Sequence, residues 1–404
     1  MTFDTRIPGR RLLHAPGPTP LPDEVLHALM RQPMDMGDPR VDEAIAACEV
    51  GLQRLLRTAA ADVFFYACNG HGAWEAAVEN LVPPAGTVLV PGTGHFSESW
   101  AVQTEALGRR VVRTPWVEGL PIDAAAVTEA LRQDTQHQIV AVFVVHTDTS
   151  SGITSDVPAL RAALDAAAHP ALFVVDVVAS LGAEPFEMDA WRVDLAVGAS
   201  QKGLMCPPGV GFLAANAAAF AAAQHNPAPR FYWDMVARKS PLSYRKFCGT
   251  PPQNLMAALA AALALIEGEG LPQVLARHRQ LAGLVHAAVE GWSEGGALGF
   301  FARQPASRSS AVTTITVPGG TDVDGLRALA REHYQVAFAG ALGPLQGRAF
   351  RIGHLGDQNA ASVLGALAAI EAALQAHGIP LGEGGMRRAV LKLAGSDLVA
   401  PAQR

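Results

Sequence analysis

The chain has 404 residues, of which 50% are hydrophobic, and a formal net charge of -6. Its length exceeds the size at which a single core usually divides, so we expect one large and one smaller domain. A weakly acidic chain has no field that would gather nucleic acid or an anionic membrane. A small molecule is therefore the expected partner.

The sequence does not predict export or membrane insertion. Segment 1–14 carries Asp4, Arg6, Arg10 and Arg11 but has no apolar core, unlike a secretory signal. The longest unbroken apolar run, Leu255–Ile266, is too short for a membrane span of about 20 residues. The four cysteines lack the spacing of a disulfide framework or a metal site. We therefore expect a cytoplasmic protein with reduced thiols and no metal.

Short β-rich runs alternate with longer stretches of helical period in the first part of the chain. In order, the predicted strands are Val63–Tyr66, Thr87–Val90, Arg110–Arg113, Ile139–Val145, Ala171–Val175, Asp194–Gly198 and Gly211–Ala214. This alternation is typical of crossover units, in which helices cover both faces of a sheet. The predicted class is α/β with a mostly parallel sheet.

The pattern changes beyond these strands. Pro251 and Pro252 lead into a predicted helix, Asn254–Glu267, along which we place the crossover between domains. The small domain that follows is predicted to be α+β, with helices Val274–Glu290 and Ala360–His377 and strands Val312–Val317, Val336–Ala339 and Ala349–Ile352. The predicted division is an N-terminal arm at 1–22, a large domain at 23–260, a small domain at 261–381 and a C-terminal extension at 382–404.

A lysine directly after a predicted strand is the first candidate for chemistry. Lys202 stands in the run Ala199-Ser200-Gln201-Lys202-Gly203, immediately after Asp194–Gly198. Ligands of parallel sheets collect outside the carboxyl ends of the strands, where an amine can form an imine. A lone lysine is more often a solvated surface residue, so this assignment depends on its neighbours.

Two other strand ends supply such neighbours. Asp176 closes the strand Ala171–Val175, where its carboxylate can pair with a protonated pyridine nitrogen or simply cap a turn. The run Asn69-Gly70-His71-Gly72 lies between Val63–Tyr66 and a helical stretch, and the free N–H groups of a helix start favour a phosphate. Neither a GxGxxG nor a P-loop pattern is present.

In their order and intervals these elements resemble class V aminotransferases, which use pyridoxal 5'-phosphate (PLP), and most closely the alanine–glyoxylate and serine–glyoxylate group. The likeness runs from Ala15-Pro16-Gly17-Pro18-Thr19-Pro20 to Arg351-Ile352-Gly353-His354-Leu355-Gly356-Asp357, and its most specific blocks are His146-Thr147-Asp148-Thr149-Ser150-Ser151-Gly152, Asp176 to Gly182, and Ser200-Gln201-Lys202-Gly203-Leu204. It implies PLP-dependent transferase fold type I, which is aspartate-aminotransferase-like, with a large sheet domain and a smaller α+β domain.

The resemblance also implies a role for each matching residue. Lys202 would hold PLP as a Schiff base, Asp176 would contact the ring nitrogen, Phe96 would stack on the ring, Val178 would pack beneath it, Thr149 would lie near its phenolic oxygen, Asn69, Gly70, His71 and Gln201 would form the phosphate site, and Arg351 would grip the substrate carboxylate. Thr250 matches a threonine that reaches the phosphate of the neighbouring subunit's cofactor. A homodimer with shared active sites is thereby implied.

The implied reaction moves an amino group from alanine or serine to glyoxylate or pyruvate by a ping-pong mechanism, with Lys202 carrying the proton. The chain departs from the family pattern at Phe247, where mammalian-type relatives have tyrosine, at Val177 and at Asp38-Pro39-Arg40. The amino donor therefore stays open. The alternatives are a transaminase of the pyridoxamine–pyruvate or 2-aminoethylphosphonate type and a catalytically silent, aminotransferase-like binding module.

Overall fold

The computed structural model describes residues 8–395. Its strands are β1 (Leu12–His14), β2 (Asp62–Tyr66), β3 (Thr87–Pro91), β4 (Arg110–Thr114), β5 (Ile139–Val145), β6 (Thr147–Asp148), β7 (Ile153–Thr154), β8 (Leu172–Asp176), β9 (Leu195–Ala199), β10 (Gly211–Ala215), β11 (Gly299–Phe300), β12 (Val312–Thr316), β13 (Val336–Gly340) and β14 (Ala349–Gly353). The α-helices are α1 (Asp23–Leu29), α2 (Pro39–Leu56), α3 (Gly70–Leu81), α4 (His95–Ala106), α5 (Ala124–Gln133), α6 (Val157–Ala167), α7 (Ala217–His225), α8 (Met235–Arg238), α9 (Ser243–Lys246), α10 (Gln253–Glu269), α11 (Leu271–Ser293), α12 (Val323–His333), α13 (Ala360–Ala376) and α14 (Gly385–Ala394).

The large sheet has seven strands in the order β2-β10-β9-β8-β5-β3-β4, and only β10 runs antiparallel to its neighbours. These are the seven strands that the sequence predicts, so the α/β class with a mostly parallel sheet is confirmed. Val142 and Phe173 pack into the core on one face, whereas Phe143 and Val174 pack into the core on the other. Because both faces are covered, the inner strands are apolar along nearly their whole length, whereas the edge strand β4 carries Arg110 and Arg113 and is largely exposed.

The small sheet has the order β1-β13-β14-β12-β11, and its core includes Trp292, Phe350 and Ile370. Strand β1 pairs in parallel with β13, so part of segment 1–22, predicted as an arm, belongs to this sheet. Helix α12 was not predicted. Its buried residues Val323, Leu326 and Ala330 have helical spacing, which a periodicity search can detect.

The two domain cores meet in α11, C-terminal to the predicted boundary at 260. Val274 packs with the large-domain core, and Leu281 packs with the small-domain core. In the segment predicted as a C-terminal extension, α14 packs against α11, and a Cβ on Gly291 would lie 2.7 Å from Gly385 Cα. No single helix in residues 8–395 is long and apolar enough to cross a membrane; α10 and α11, bent by 87° at their junction, meet that test only together.

Candidate active site

The carboxyl ends of β5, β8 and β9 and the first turns of α3 and α4 surround a cavity of about 140 Å³. Its lining residues are Asn69, Gly70, His71, Trp74, Phe96, Thr147, Thr149, Asp176, Val178, Ala179, Gln201 and Lys202. Every predicted cofactor contact except Thr250 lies in this lining. The fold therefore brings together segments that are far apart in sequence, from Asn69 to Lys202. Trp74, Thr147 and Ala179 also line the cavity, although no role was predicted for them.

The N-terminal segment covers the lysine. Lys202 Nζ donates to the carbonyl of Pro16 at 2.5 Å, and Thr19 Oγ1 donates to the carbonyl of Lys202 at 3.0 Å. Gly17 has φ +130°, and a Cβ at this position would overlap the Lys202 side chain. Glycine is therefore needed where the segment crosses the lysine.

The half-buried Lys202 interacts electrostatically with three buried charged side chains, those of Asp176, Asp148 and Arg351. Burial lowers the pKa of Lys202 to about 8, and Arg351 lowers it as well, whereas Asp176 and Asp148 oppose the shift. An amine with such a pKa is partly neutral near physiological pH. Lys202 can therefore act as a nucleophile or accept a proton.

Asp176 ends β8 with both carboxylate oxygens hydrogen-bonded. Oδ1 accepts from the Val178 amide at 2.6 Å, and Oδ2 accepts from Trp74 Nε1 at 3.1 Å. Burial raises the pKa of Asp176 to about 7 in spite of these two donors. A cation in the cavity, such as a protonated pyridine nitrogen, would stabilise the ionised form.

The start of α3 forms an anion site. Asn69 is the N-cap, and its side chain accepts from the Gly72 amide at 3.3 Å. The two amides before Gly72, those of Gly70 and His71, have no acceptor within the helix, because the first turn of a helix leaves its N–H groups unpaired. A Cβ on Gly70 would lie 3.4 Å from Val178, which keeps this wall tight. Gln201 lines the same cavity, and its side-chain Nε2–H group can donate to an anion there. These groups fit a phosphate ligand.

Asp148 anchors the start of α4, which carries Phe96. Its carboxylate accepts from the Phe96 amide at 2.9 Å, from Thr93 Oγ1 at 3.3 Å and from Ser150 Oγ at 2.6 Å. An anion at a helix N-terminus is favourable, and here it fixes the position of an aromatic ring at the cavity. Asp148 lies in the block from His146 to Gly152 that resembles the family, but the sequence did not predict a role for it.

Arg351 connects the small sheet to the cavity edge. Its Nη1 donates to the carbonyl of Thr149 at 3.0 Å, and its Nε donates to the carbonyl of Gly340 at 2.8 Å. The side chain is buried, which lowers the pKa of Arg351 to about 10, and Asp148 opposes this shift. Its Nη2 has no hydrogen-bond acceptor in the described part of the chain, so this group can bind a substrate carboxylate.

Thr250 lies apart from these residues. It is exposed, and its Oγ1 is 3.9 Å from Met36 Sδ rather than at the cavity of its own chain. A single chain therefore does not bring Thr250 to the phosphate site.

The departures from the family pattern have local explanations. Phe247 is buried and stacks on Phe65, with ring centroids 5.9 Å apart, so its ring belongs to the large-domain core. Val177 is likewise fully buried in that core. Asp38 caps α2 by accepting from the Arg40 amide, and it also pairs with the Arg40 guanidinium.

Comparison with known proteins identifies the family. The family model of class-V aminotransferases matches residues 11–340. An L-aspartate–glyoxylate aminotransferase of Paracoccus denitrificans is 37% identical over 368 residues, 91% of each chain, and a serine–glyoxylate aminotransferase of Methylorubrum extorquens is 36% identical over 387 residues, 94% of this chain and 95% of that one.

The crystal structure of ureidoglycine–glyoxylate aminotransferase from Bacillus subtilis superposes with a TM-score of 0.88 at 24% identity, covering 97% of this chain and 100% of that one. This likeness supports the fold, which the sequence predicts as fold type I. The family match and the relatives agree with the cavity, which is lined by a lysine, an aspartate and a helix start. The chain therefore belongs to the class-V aminotransferases, which are PLP-dependent transaminases.

Proposed function

We propose that this enzyme transfers an amino group from a small amino acid to glyoxylate by a ping-pong mechanism. The observation that carries the proposal is the shared cavity of Lys202 and Asp176, with Arg351 bonded to Thr149 at its edge. Two relatives at 36–37% identity are named for transfer to glyoxylate, one from serine and one from aspartate. Alanine and serine stay our predicted donors, and the name of the first relative adds aspartate.

The lining residues fit PLP. When bound, its conjugated ring takes up the electron pair left when a bond to the substrate Cα breaks. Gly70, His71 and Gln201 would bind the phosphate, and Asp176 would hold the ring nitrogen in its protonated form. Val178 lines the cavity below Gly70 and would pack against the ring.

Arg351 binds the substrate, and Lys202 transfers its proton. Arg351 fixes the donor carboxylate through a planar guanidinium, which orients the Cα–H bond. Lys202 Nζ then removes this proton as a neutral amine, which its lowered pKa favours, and returns a proton as general acid. The carbonyl of Pro16 is an acceptor for the amine when Lys202 is free.

We also propose that the active enzyme is a homodimer with shared sites. Thr250 is exposed and distant from its own cavity, as a residue that serves a second chain would be. Large apolar side chains near Thr250 are exposed as well: Met36, which contacts Thr250, is 41% exposed, and Leu242 and Tyr244, a few positions before it, are 48% and 43% exposed. A surface of this kind is typical of an interface.

Spectroscopy of the purified holoenzyme tests the reaction. Alanine, serine or aspartate is added alone, and the visible absorbance of the bound cofactor is followed; glyoxylate or pyruvate is then added. We expect a donor alone to convert the absorbance and glyoxylate to restore it. A requirement for both substrates at once would contradict the ping-pong mechanism.

The other class V reactions are tested with the same protein. Free pyridoxamine has no phosphate, so the anion site formed by the Gly70 and His71 amides and the Gln201 side chain argues against it as a substrate. Conversion of pyridoxamine or 2-aminoethylphosphonate at a higher kcat/KM than any amino acid would replace the proposed donor.

We further propose a cytoplasmic location, since all four cysteines are free, as a reducing compartment favours.

A further inference from the structure

One lining residue has a contact for which the proposed mechanism has no role. The indole of Trp74 is buried, and its Nε1–H donates to Asp176 Oδ2 at 3.1 Å. The other oxygen of this carboxylate accepts from the Val178 amide. The Val178 contact is made by the backbone and spans two residues, whereas the Trp74 contact is made by a side chain 102 residues away along the chain.

The indole is held from several sides. It stacks on Trp100 with ring centroids 5.3 Å apart, and Trp100 stacks on Phe143 at 4.5 Å. The His71 ring lies 4.6 Å from Trp74 and the Phe96 ring 6.3 Å from it. A ring packed in this way cannot turn its N–H away, so the direction of the donor is fixed.

We propose that Trp74 is a positioning residue that keeps Asp176 ionised and orients its carboxylate toward the ring nitrogen of the cofactor. A buried carboxylate resists ionisation, and a hydrogen bond to the charged form offsets part of that cost. Removing the donor should therefore favour the protonated acid, which cannot pair with a protonated ring nitrogen. This inference rests on the proposed role of Asp176.

The stacked pair offers a matched control. Trp100 is as deeply buried as Trp74, but its Nε1 has no hydrogen-bond partner within residues 8–395. Trp74→Phe and Trp100→Phe each remove one indole from the same stack. Only the first change removes a donor from Asp176.

The test measures PLP binding to the apoprotein across a pH series. We expect Trp74→Phe to weaken PLP about tenfold, the size of one hydrogen bond to a charged group, and to move the acid limb of binding to higher pH. Trp100→Phe should stay within about twofold of the parent. Equal losses in the two variants, with unchanged pH profiles, would overturn the proposal.

A double-mutant cycle with Asp176→Asn separates this proposal from the role of Asp176 itself. If Trp74 acts through the charge, Trp74→Phe should cost little more in the Asp176→Asn background. Unaltered binding and turnover in Asp176→Asn alone would defeat the role of Asp176. Losses that simply multiply would defeat the role of Trp74 only. Trp74→Met, which keeps an apolar side chain without the donor, replaces the phenylalanine variant if that protein does not fold.

Discussion

The two ends of the cavity differ in how complete they are within one chain. At the ring-nitrogen end, both oxygens of Asp176 are hydrogen-bonded, and all the groups involved belong to the large domain. At the phosphate end, the Gly70 and His71 amides have no acceptor within their helix, and Thr250 is exposed elsewhere. A buried carboxylate needs hydrogen-bond donors in the folded chain, because burying an unpaired charge is costly. Amides at a helix start can stay unpaired until a ligand binds, because every helix leaves its first N–H groups free.

The largest expected effect concerns the residue between the two ends. Lys202→Ala should lower multiple-turnover transamination by ~10⁴-fold, because the proton carrier is lost together with the covalent anchor of the cofactor. Lys239→Ala, which removes an exposed lysine that contacts Asp62 and the Phe220 ring outside the cavity lining, is the control. Steady turnover in the Lys202 variant, measured by formation of the keto-acid product, would show that Lys202 does not have the assigned role.

The next effect sharpens the view that the ring-nitrogen end is built for a cation. The pKa of Asp176 in the folded apoprotein, about 7, lies above its ordinary value of 3.8, so the folded chain binds this proton more tightly than the unfolded chain. The resulting stability is present below pH 3.8 and is lost as pH rises through 7.

Asp176→Asn removes the loss of folding stability that ionisation of Asp176 causes at high pH. The apoprotein variant should therefore be more stable than the parent at pH 8, by roughly 2 to 4 kcal/mol, and equal to it near pH 4. Urea unfolding at the two pH values measures the difference. A variant that is less stable than the parent at pH 8 would mean that the carboxylate is well stabilised without a cofactor.

A smaller effect is expected at Arg351, which should bind the substrate and neither end of the cofactor. Arg351→Lys should lower kcat/KM for the amino-acid donor by about 30-fold, since a lysine cannot make the bidentate pair with a carboxylate. PLP affinity should not change, because Arg351 is not part of the cavity lining. Loss of PLP affinity in this variant would place the arginine at the phosphate end instead.

The smallest effect tests whether the phosphate end is completed by a second chain. Thr250→Ala should weaken PLP by about tenfold, the value of one hydrogen bond to a charged group. In mixed dimers of Lys202→Ala and Thr250→Ala chains, one site would combine an intact lysine with the partner's intact threonine. Such dimers should regain one site of parental affinity by titration; if Thr250 acts within its own chain, none appears.

The sequence predicts the large sheet well because six of its seven strands are mainly apolar runs, and the seventh, β4, has a β-branched pair, Val111 and Val112, at its centre. It also predicts Lys202 and Asp176, since residues at the carboxyl ends of parallel strands must meet. Strand β1 could not be predicted, because three residues gain a partner more than 300 positions away. The contact of Trp74 was missed for a similar reason: a tryptophan in an apolar helix indicates core packing, and only the fold shows where its N–H points.

The N-terminal segment joins both domains at the reactive amine. His14 ends a strand of the small sheet, and two positions later the carbonyl of Pro16 accepts from Lys202 in the large domain. Two extended residues reach only ~7 Å, so there is little slack in this tether. A displacement of the small domain by more than a few ångströms would therefore break the Pro16 contact, so that domain movement and release of the lysine would be coupled.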